Sequence, residues 1–323
     1  MDPSSISVVI PTHGRPDLLR RCLTSLLAQE FPADRMEIVV VEDGGPGAAE
    51  AVVHEASKRS VGVRLSYLAV PQGGPGAARN AGLRLATGDV IAFTDDDTIP
   101  DRCWLQEGVA ALRAGADAVS GRTIVPLLDR PTDAEVNVQG LERATFATCN
   151  VFVKRAWLER VGGFDSQFRR AYREDSDLEF RLLDAGARIV RADSAVVVHP
   201  PRRERPFASL RQQRNQFFDA LLFRKHRARF RATIRQYPPF GYYAITLSQG
   251  VSLLAVLTGQ LRLAGLATVI WMPLVGRFLA RRAQGRSRRP AHLAELAVTS
   301  VLIPPLAVCW RLRGAWAFRV PFL

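Results

Sequence analysis

The stretch GDVIAFTDDDTIPD, from Gly88 to Asp101, sends a strand-like apolar run straight into three consecutive carboxylates. Adjacent like charges repel, so Asp95, Asp96 and Asp97 weaken the fold unless something cationic compensates them. A solvated turn with helix-capping aspartates accounts for one or two of the three, because Asp is favoured in turns and at N-caps. Three acids at the carboxyl end of a strand, where open α/β sheets bind ligands, point instead to a cation site.

The elements that must position them are legible as alternating patterns. ISVVIPT, EIVVVEDGG, VRLSYLAV and DVIAFTDDD read as strands. DLLRRCLTSLLAQ, AAEAVVHEASKR and GPGAARNAGLRLATG read as the helices between them, the last opened by Gly-Pro and closed by Gly88. A β-α-β-α-β-α-β order implies a mostly parallel, twisted sheet covered by helices. Beyond Asp97, ADAVSGRTIVP, ATCNVFVKRAWL and ARIVRADSAVVVHP supply further strand material, with a polar loop expected around Arg130–Gln139. EDSDLEFRLLDAG is a helix with acids in its first turn and Gly186 at its end, both favourable for the helix dipole.

The chain changes character near Pro206. FASLRQQRNQFFDALLFRKHRARF mixes arginines with Phe207, Leu210, Phe217, Phe218 and Leu221. That suits a helix at a membrane surface, and a core-packed amphipathic helix fits the periodicity equally well. Tyr242–Leu261 carries no charge over twenty residues, enough to span a bilayer, and LAGLATVIWMPLVG follows Arg262. If these two cross and return, the basic loop RRAQGRSRRP falls on the cytosolic face, as the positive-inside rule prefers. A third apolar stretch, Leu293–Trp310, contains Glu295 and Pro304-Pro305 and is expected to be re-entrant or interfacial.

Charge divides the same way. The net +13 hides a segment, 201–323, with 21 Lys/Arg against three acids, while the first 200 residues sum to −5. The basic groups flank apolar segments and no nucleic-acid signature interrupts them, so anionic lipid headgroups are the expected partner and nucleic acid is not. Four cysteines without a C-x-x-C pair imply neither a zinc site nor a disulfide framework, and hence a reducing compartment. The start, MDPSSISVVIPTHGRP, lacks the basic region and long apolar core of a signal peptide, so the catalytic region is expected in the cytosol.

Five segments in order carry a resemblance: VVIPTHGRPDLLRRCLTSLLAQ, EIVVVEDGG, GGPGAARNAGLRLATGDVIAFTDDD, VGGFDSQFRRAYREDSDLEFRLLDAG and VVVHP. Over residues 5 to 200 the chain resembles the family 2 glycosyltransferases, inverting enzymes of the GT-A fold that use sugar nucleotides, in their membrane-associated, bacterial-type form. The resemblance implies an α/β GT-A domain over 1–205; the composition beyond it gives a basic interfacial helix region over 206–240 and hydrophobic membrane-associated helices over 241–323. It implies a nucleotide-diphosphate sugar donor, a lipid-linked or membrane-proximal glycan acceptor, and Mg²⁺ or Mn²⁺ as cofactor. Such a cation prefers carboxylate oxygen and neutralises a departing diphosphate.

Residue by residue, Asp95 and Asp97 match the outer members of the family's D-x-D motif, with Asp97 the direct metal ligand and Asp95 nearer the ribose or an ordered water. His199 matches a histidine that can complete the metal shell, although a histidine before proline reads equally as a strand-end residue. Pro11, Thr12, Gly14 and Arg15 match the loop that wraps the nucleoside, and Asp43 the acid that bonds the base. Arg79 is placed to reach the diphosphate, and Asp96 joins the donor-binding set. Asp175 matches the general base that takes the acceptor's proton, Glu174 orients the site, and Gly163, Phe164 and Asp165 belong to the loop facing the acceptor. Processive members carry Q-x-x-R-W, whereas RQQRNQ keeps Arg214 and has Asn215 at the tryptophan position, which favours transfer of one sugar.

Other classes fit less well. FTDDDT loosely matches the D-x-D-x-T loop of a metal-dependent phosphatase, but that loop belongs on a first strand. PTHGRP lacks the G-x-G-x-x-G of a dinucleotide oxidoreductase. Transfer to a polyprenyl phosphate and an inactive membrane scaffold are the remaining alternatives.

Overall fold

The structure, a computed structural model, describes residues 5–202 and 205–322; the MDPS start and Glu204, both used above, lie outside them. Two compact units emerge, one built from 1–126 and 139–201, the other from 127–138 and 202–323.

The first unit alternates strands and helices in the expected order. The elements are β1 (Ile6–Thr12), α1 (Pro16–Leu27), β2 (Met36–Asp43), α2 (Ala48–Arg59), β3 (Arg64–Val70), α3 (Pro75–Leu85) and β4 (Val90–Thr94). There follow β5 (Ile99–Pro100), α4 (Trp104–Arg113) and β6 (Ala118–Ile124). After the excursion through α5 (Asp133–Gln139) come β7 (Asn150–Lys154), α6 (Arg155–Val161), α7 (Glu174–Asp184) and β8 (Ile189–Val198). The sheet order is β3-β2-β1-β4-β7-β6-β8-β5. The first four strands are parallel; β7 lies antiparallel between β4 and β6, and β5 pairs antiparallel with β8. The sheet is therefore mixed, and the register Thr94↔Asn150 sets the start of β7 beside the end of β4, next to the three aspartates.

Side chains alternate across the strands and feed two cores. Val8, Ile10, Ile38, Val40, Val90 and Ala92 face α1, α2 and α4, while Val9, Val39, Val41, Ile91 and Phe93 face α3, α6 and α7. Helix α3 packs so closely that a Cβ on Gly82 would stand 2.5 Å from Val9 Cγ1. All four cysteines are free thiols.

The second unit holds α5's start together with α8 (Ala208–Gln212), α9 (Gln216–Lys225), α10 (Arg227–Arg229), α11 (Phe240–Leu257), α12 (Leu261–Ala283) and α13 (Pro290–Ala317). Three differences from the sequence reading have physical causes. The loop expected around Arg130–Gln139 contains α5, because Thr132 and Glu135 form a reciprocal capping box: Glu135 Oε2 accepts the Thr132 N–H at 2.6 Å and Thr132 Oγ1 accepts the Glu135 N–H at 3.3 Å. The basic stretch after Pro206 is not one helix but several short ones, and Phe218, Leu221, Leu222 and Phe223 are buried within the unit. Helix α13 runs unbroken through Pro304 and Pro305, forgoing the two backbone hydrogen bonds those residues cannot donate.

Candidate active site

Side chains converge at the carboxyl ends of β1 and β4, the end of β8 and the first turn of α7. The three aspartates take different directions. Asp96 is fully buried, accepting the Thr12 hydroxyl at 2.6 Å and pairing with Arg15 at 2.9 Å. Burial pushes its carboxyl up to about 6, against the pull of Arg15 and Thr12. Through these two contacts Asp96 ties the loop after β1 in position. Pro11 and Thr12 are buried with it, which leaves His13, Gly14 and, in part, Arg15 as the accessible portion of that loop.

Asp95, Asp97 and His199 gather on the other side, each offering a donor atom within 4.8 Å of the others. His199 Nε2 lies 3.5 Å from Asp97 Oδ1, and the His199 N–H donates to the Ile124 carbonyl, which fixes the end of β8 beside the aspartates. Two carboxylates and an imidazole are hard-to-borderline donors, and they fit Mg²⁺ or Mn²⁺.

Arg79 joins this cluster to α7. Only 3% exposed, it donates to Asp95 Oδ1 at 2.7 Å and to Glu174 Oε1 at 3.3 Å. A guanidinium shared between two carboxylates bridges the strand-end cluster and the start of α7. Burial alone would raise the Asp95 carboxyl; Arg79, with His199 and Arg15, holds it below its ordinary value. Phe164 lies under Arg79, 5.6 Å from ring centroid to guanidinium carbon, and Asn80 clamps its backbone N–H and carbonyl at 2.8 Å each. Gly163 and Phe164 are therefore supports under the site, and Asp165 caps its own turn by accepting the Gln167 N–H. Asn80 escaped the sequence reading, although it stands within the ARN motif.

At the start of α7 the two acids differ. Glu174 is enclosed, and burial, with Asp175 adjacent, pushes its carboxyl up to about 8. Its Oε2 is buried with no hydrogen-bond partner. Asp175 is half-buried, accepts the Ser176 N–H at 2.7 Å, and is also raised by burial. Arg173, just before them, adopts a left-handed φ of 74°, a strained conformation of the kind that gathers at functional sites.

Asp43 closes the site on the β2 side. Its two oxygens accept the N–H groups of Gly73 and Gly74 at 2.7 and 3.0 Å, and its carbonyl contacts the His13 ring. With His13, Gln72, Arg169 and Arg170 it lines an open cavity of about 880 Å³. Gly74 has φ 89°, and a Cβ there would stand 2.5 Å from the Arg169 carbonyl. His13, Gln72, Arg169 and Arg170 were not anticipated; no local pattern marks them, because the cavity forms only when the loops meet.

A twisted, mixed α/β sheet with an acidic, metal-capable cluster at its strand ends and an acid-opened helix beside it defines a class, proteins of the GT-A fold. Comparison with known proteins narrows the class. The model of Glycosyl transferase family 2 matches residues 7–179, more than half of the chain, and the chain belongs to that family. It is 26% identical over 215 residues to glycosyltransferase AglE of Haloferax volcanii, covering 64% of this chain and 69% of that protein. It is 29% identical over 218 residues to the pre-mycofactocin glycosyltransferase of Mycobacterium tuberculosis, covering 62% of this chain but only 43% of that longer protein. Among solved structures, the mannosyltransferase PcManGT of Pyrobaculum calidifontis, in complex with GDP-Man and Mn²⁺, superposes with a TM-score of 0.56 at 21% identity, covering 93% of this chain and 88% of that one. TarS residues 1–349 of S. aureus give 0.52 at 17% identity, covering 98% and 91%. The two structural likenesses concern the fold. The protein is a glycosyltransferase.

Proposed function

We propose that this glycosyltransferase moves one sugar, with inversion, from a nucleotide-diphosphate sugar to a hydroxyl of a lipid-linked or membrane-proximal acceptor. The observation that carries the reading is the gathering of Asp95, Asp97 and His199 within 4.8 Å, joined through Arg79 to the start of α7. Asp97 and His199, with Asp95, would hold Mg²⁺ or Mn²⁺, which when bound offsets the charge of a departing diphosphate.

The remaining roles belong to the chain's own groups. The cavity between Asp43, His13 and the Gly73-Gly74 turn takes the nucleoside, with Gly14 and Arg15 closing over it. Arg79 keeps the donor-side carboxylates and Glu174 at a set spacing. Asp175 accepts the proton of the incoming hydroxyl, and because no side chain serves as nucleophile, one displacement inverts the anomeric centre. Support for the donor class comes from PcManGT, solved with GDP-Man and Mn²⁺, and from TarS, solved with UDP-GlcNAc.

Three helices are long and apolar enough to cross a membrane, which supports attachment of the second unit to a cytoplasmic membrane through apolar contact and anionic headgroups. On this reading the catalytic unit, 1–126 with 139–201, faces the cytosol, where sugar nucleotides are made. The test is product analysis: with a hydroxyl acceptor the new linkage has the opposite anomeric configuration to the donor. Retention of configuration, or transfer to a phosphate only, would overturn the mechanism.

A further inference from the structure

We infer that α11 and α12 form a hairpin that crosses a lipid bilayer and returns, while α13 stays on the side from which the hairpin enters. The inference deepens the membrane-associated reading above and rests on it.

The hairpin is inside-out for a water-soluble helix pair. Four of the six buried residues on these two helices are small, Ser248, Ala255, Ala264 and Ala267, beside Ile245 and Val275, and a hydrogen bond between Ser252 Oγ and Thr268 Oγ1 at 2.8 Å joins the pair. Its outer faces expose Leu253, Leu254, Leu257, Leu261, Leu266 and Ile270. Small residues and hydroxyl pairs inside, with leucines outside, is the packing of helices whose solvent is hydrocarbon. The 18 residues of α11 and 23 of α12 correspond to about 27 and 34 Å at the α-helical rise, against roughly 30 Å of bilayer core.

The two ends of the hairpin differ. At the base, Tyr242 meets Phe278 edge to face with ring centroids 5.4 Å apart, and Arg277 and Arg281 are exposed beside them. The basic loop through Arg286, Arg288 and Arg289 follows directly. Aromatic rings and arginines together mark a headgroup layer, and the arginines match anionic lipid. The tip, Thr258–Gln260, is uncharged, with Arg262 alone nearby.

Helix α13 qualifies as a span by length and hydropathy, yet 39% of its most apolar window is buried inside the protein, against 17% for each of the other two. Arg282, one residue from the end of α12, donates to Thr299 and Ser300 at 2.9 Å each, so α13 meets α12 at the hairpin's base with its own middle. Its second half is committed to α9. Arg311 is buried 3.8 Å from Asp219 of α9 and 4.0 Å from the Phe322 ring centroid, and Gly314 abuts the Phe217 carbonyl. Helix α9 ends in Arg224 and Lys225, so the side of α13 that carries Arg311 and Gly314 is held by a partner that belongs at the interface and not in hydrocarbon, while Leu302 and Leu312 remain exposed on the other.

The test places single cysteines in the full chain lacking Cys22, Cys103, Cys149 and Cys309, and labels intact cells with a membrane-impermeant thiol reagent. Gln260→Cys, with Thr258→Cys as a second tip position, is expected to label from outside. Gln236→Cys, before α11, and Trp316→Cys, near the end of α13, are expected to label only after permeabilisation, and all variants to remain in membranes after an alkaline wash. Labelling of Trp316→Cys in intact cells would mean a third crossing and overturn the proposal. So would two tip cysteines that stay silent until permeabilisation, or a detergent-free soluble dimer, in which a second copy covers the leucines. Labelling is independent of turnover, so it fails or succeeds separately from the sugar-transfer reading.

Discussion

At the scale of single residues, the chemistry rests on carboxylates in unlike surroundings. Asp175→Asn is predicted to lower turnover by about 10²–10⁴-fold, with donor affinity nearly unchanged, as loss of a general base requires. A base acts only when ionised, and burial raises Asp175 above its ordinary 3.8. Turnover is therefore lost as pH falls through that raised value, at a higher pH than a solvated aspartate would impose; a rate–pH profile with its acidic limb at the solvated position would contradict the assignment. His199→Ala is predicted to raise the metal concentration needed for half-maximal activity, and an unchanged metal titration would remove it from the shell. The acidic run was legible as a candidate cation site from residue type and its place at a strand end, whereas His199 was reached only through the family resemblance. The inward turn of Asp96 and the burial of Arg79 and Phe164 were not, because the direction of a side chain at a strand end is decided by the loops that fold over it.

At the scale of elements, β1, β2, β4 and α3 were legible from composition and punctuation, since continuous apolar, β-branched runs and Gly-Pro starts act locally. Gly82 carries a different message: α3 needs it for contact with β1. Gly82→Ala is predicted to destabilise the fold by about 1–3 kcal/mol through overpacking, despite the better helix propensity of alanine. Denaturant unfolding checks this, and a stabilised variant would show that the close approach to Val9 is not what the glycine serves. The antiparallel insertion of β7 was not legible, since strand direction follows from pairing across the sheet and not from the strand's own residues. The α5 start was legible in principle, as the T-x-x-E of Thr132 and Glu135, but was hidden by the polar sequence around it.

At the scale of the whole molecule, composition announced two regions, an acidic α/β unit and a basic, apolar one. It did not disclose that residues 127–138 belong with the second, or that Arg311 of α13 is buried against Asp219 of α9. Arg282 explains the first: it pairs with Asp133 at 2.7 Å while also holding Thr299 and Ser300, a convergence of residues distant in sequence. The central claim remains that the cluster of Asp95, Asp97 and His199 serves metal-dependent cleavage of a sugar nucleotide. The most direct measurement is release of nucleoside diphosphate from a panel of sugar nucleotides by the full-length protein, with Mg²⁺ or Mn²⁺ and with chelator, for the wild type and Asp97→Asn. Release from one donor class that requires the divalent ion and disappears in Asp97→Asn is the predicted result. Release that persists in chelator and in Asp97→Asn, or no release from any donor, would contradict the account.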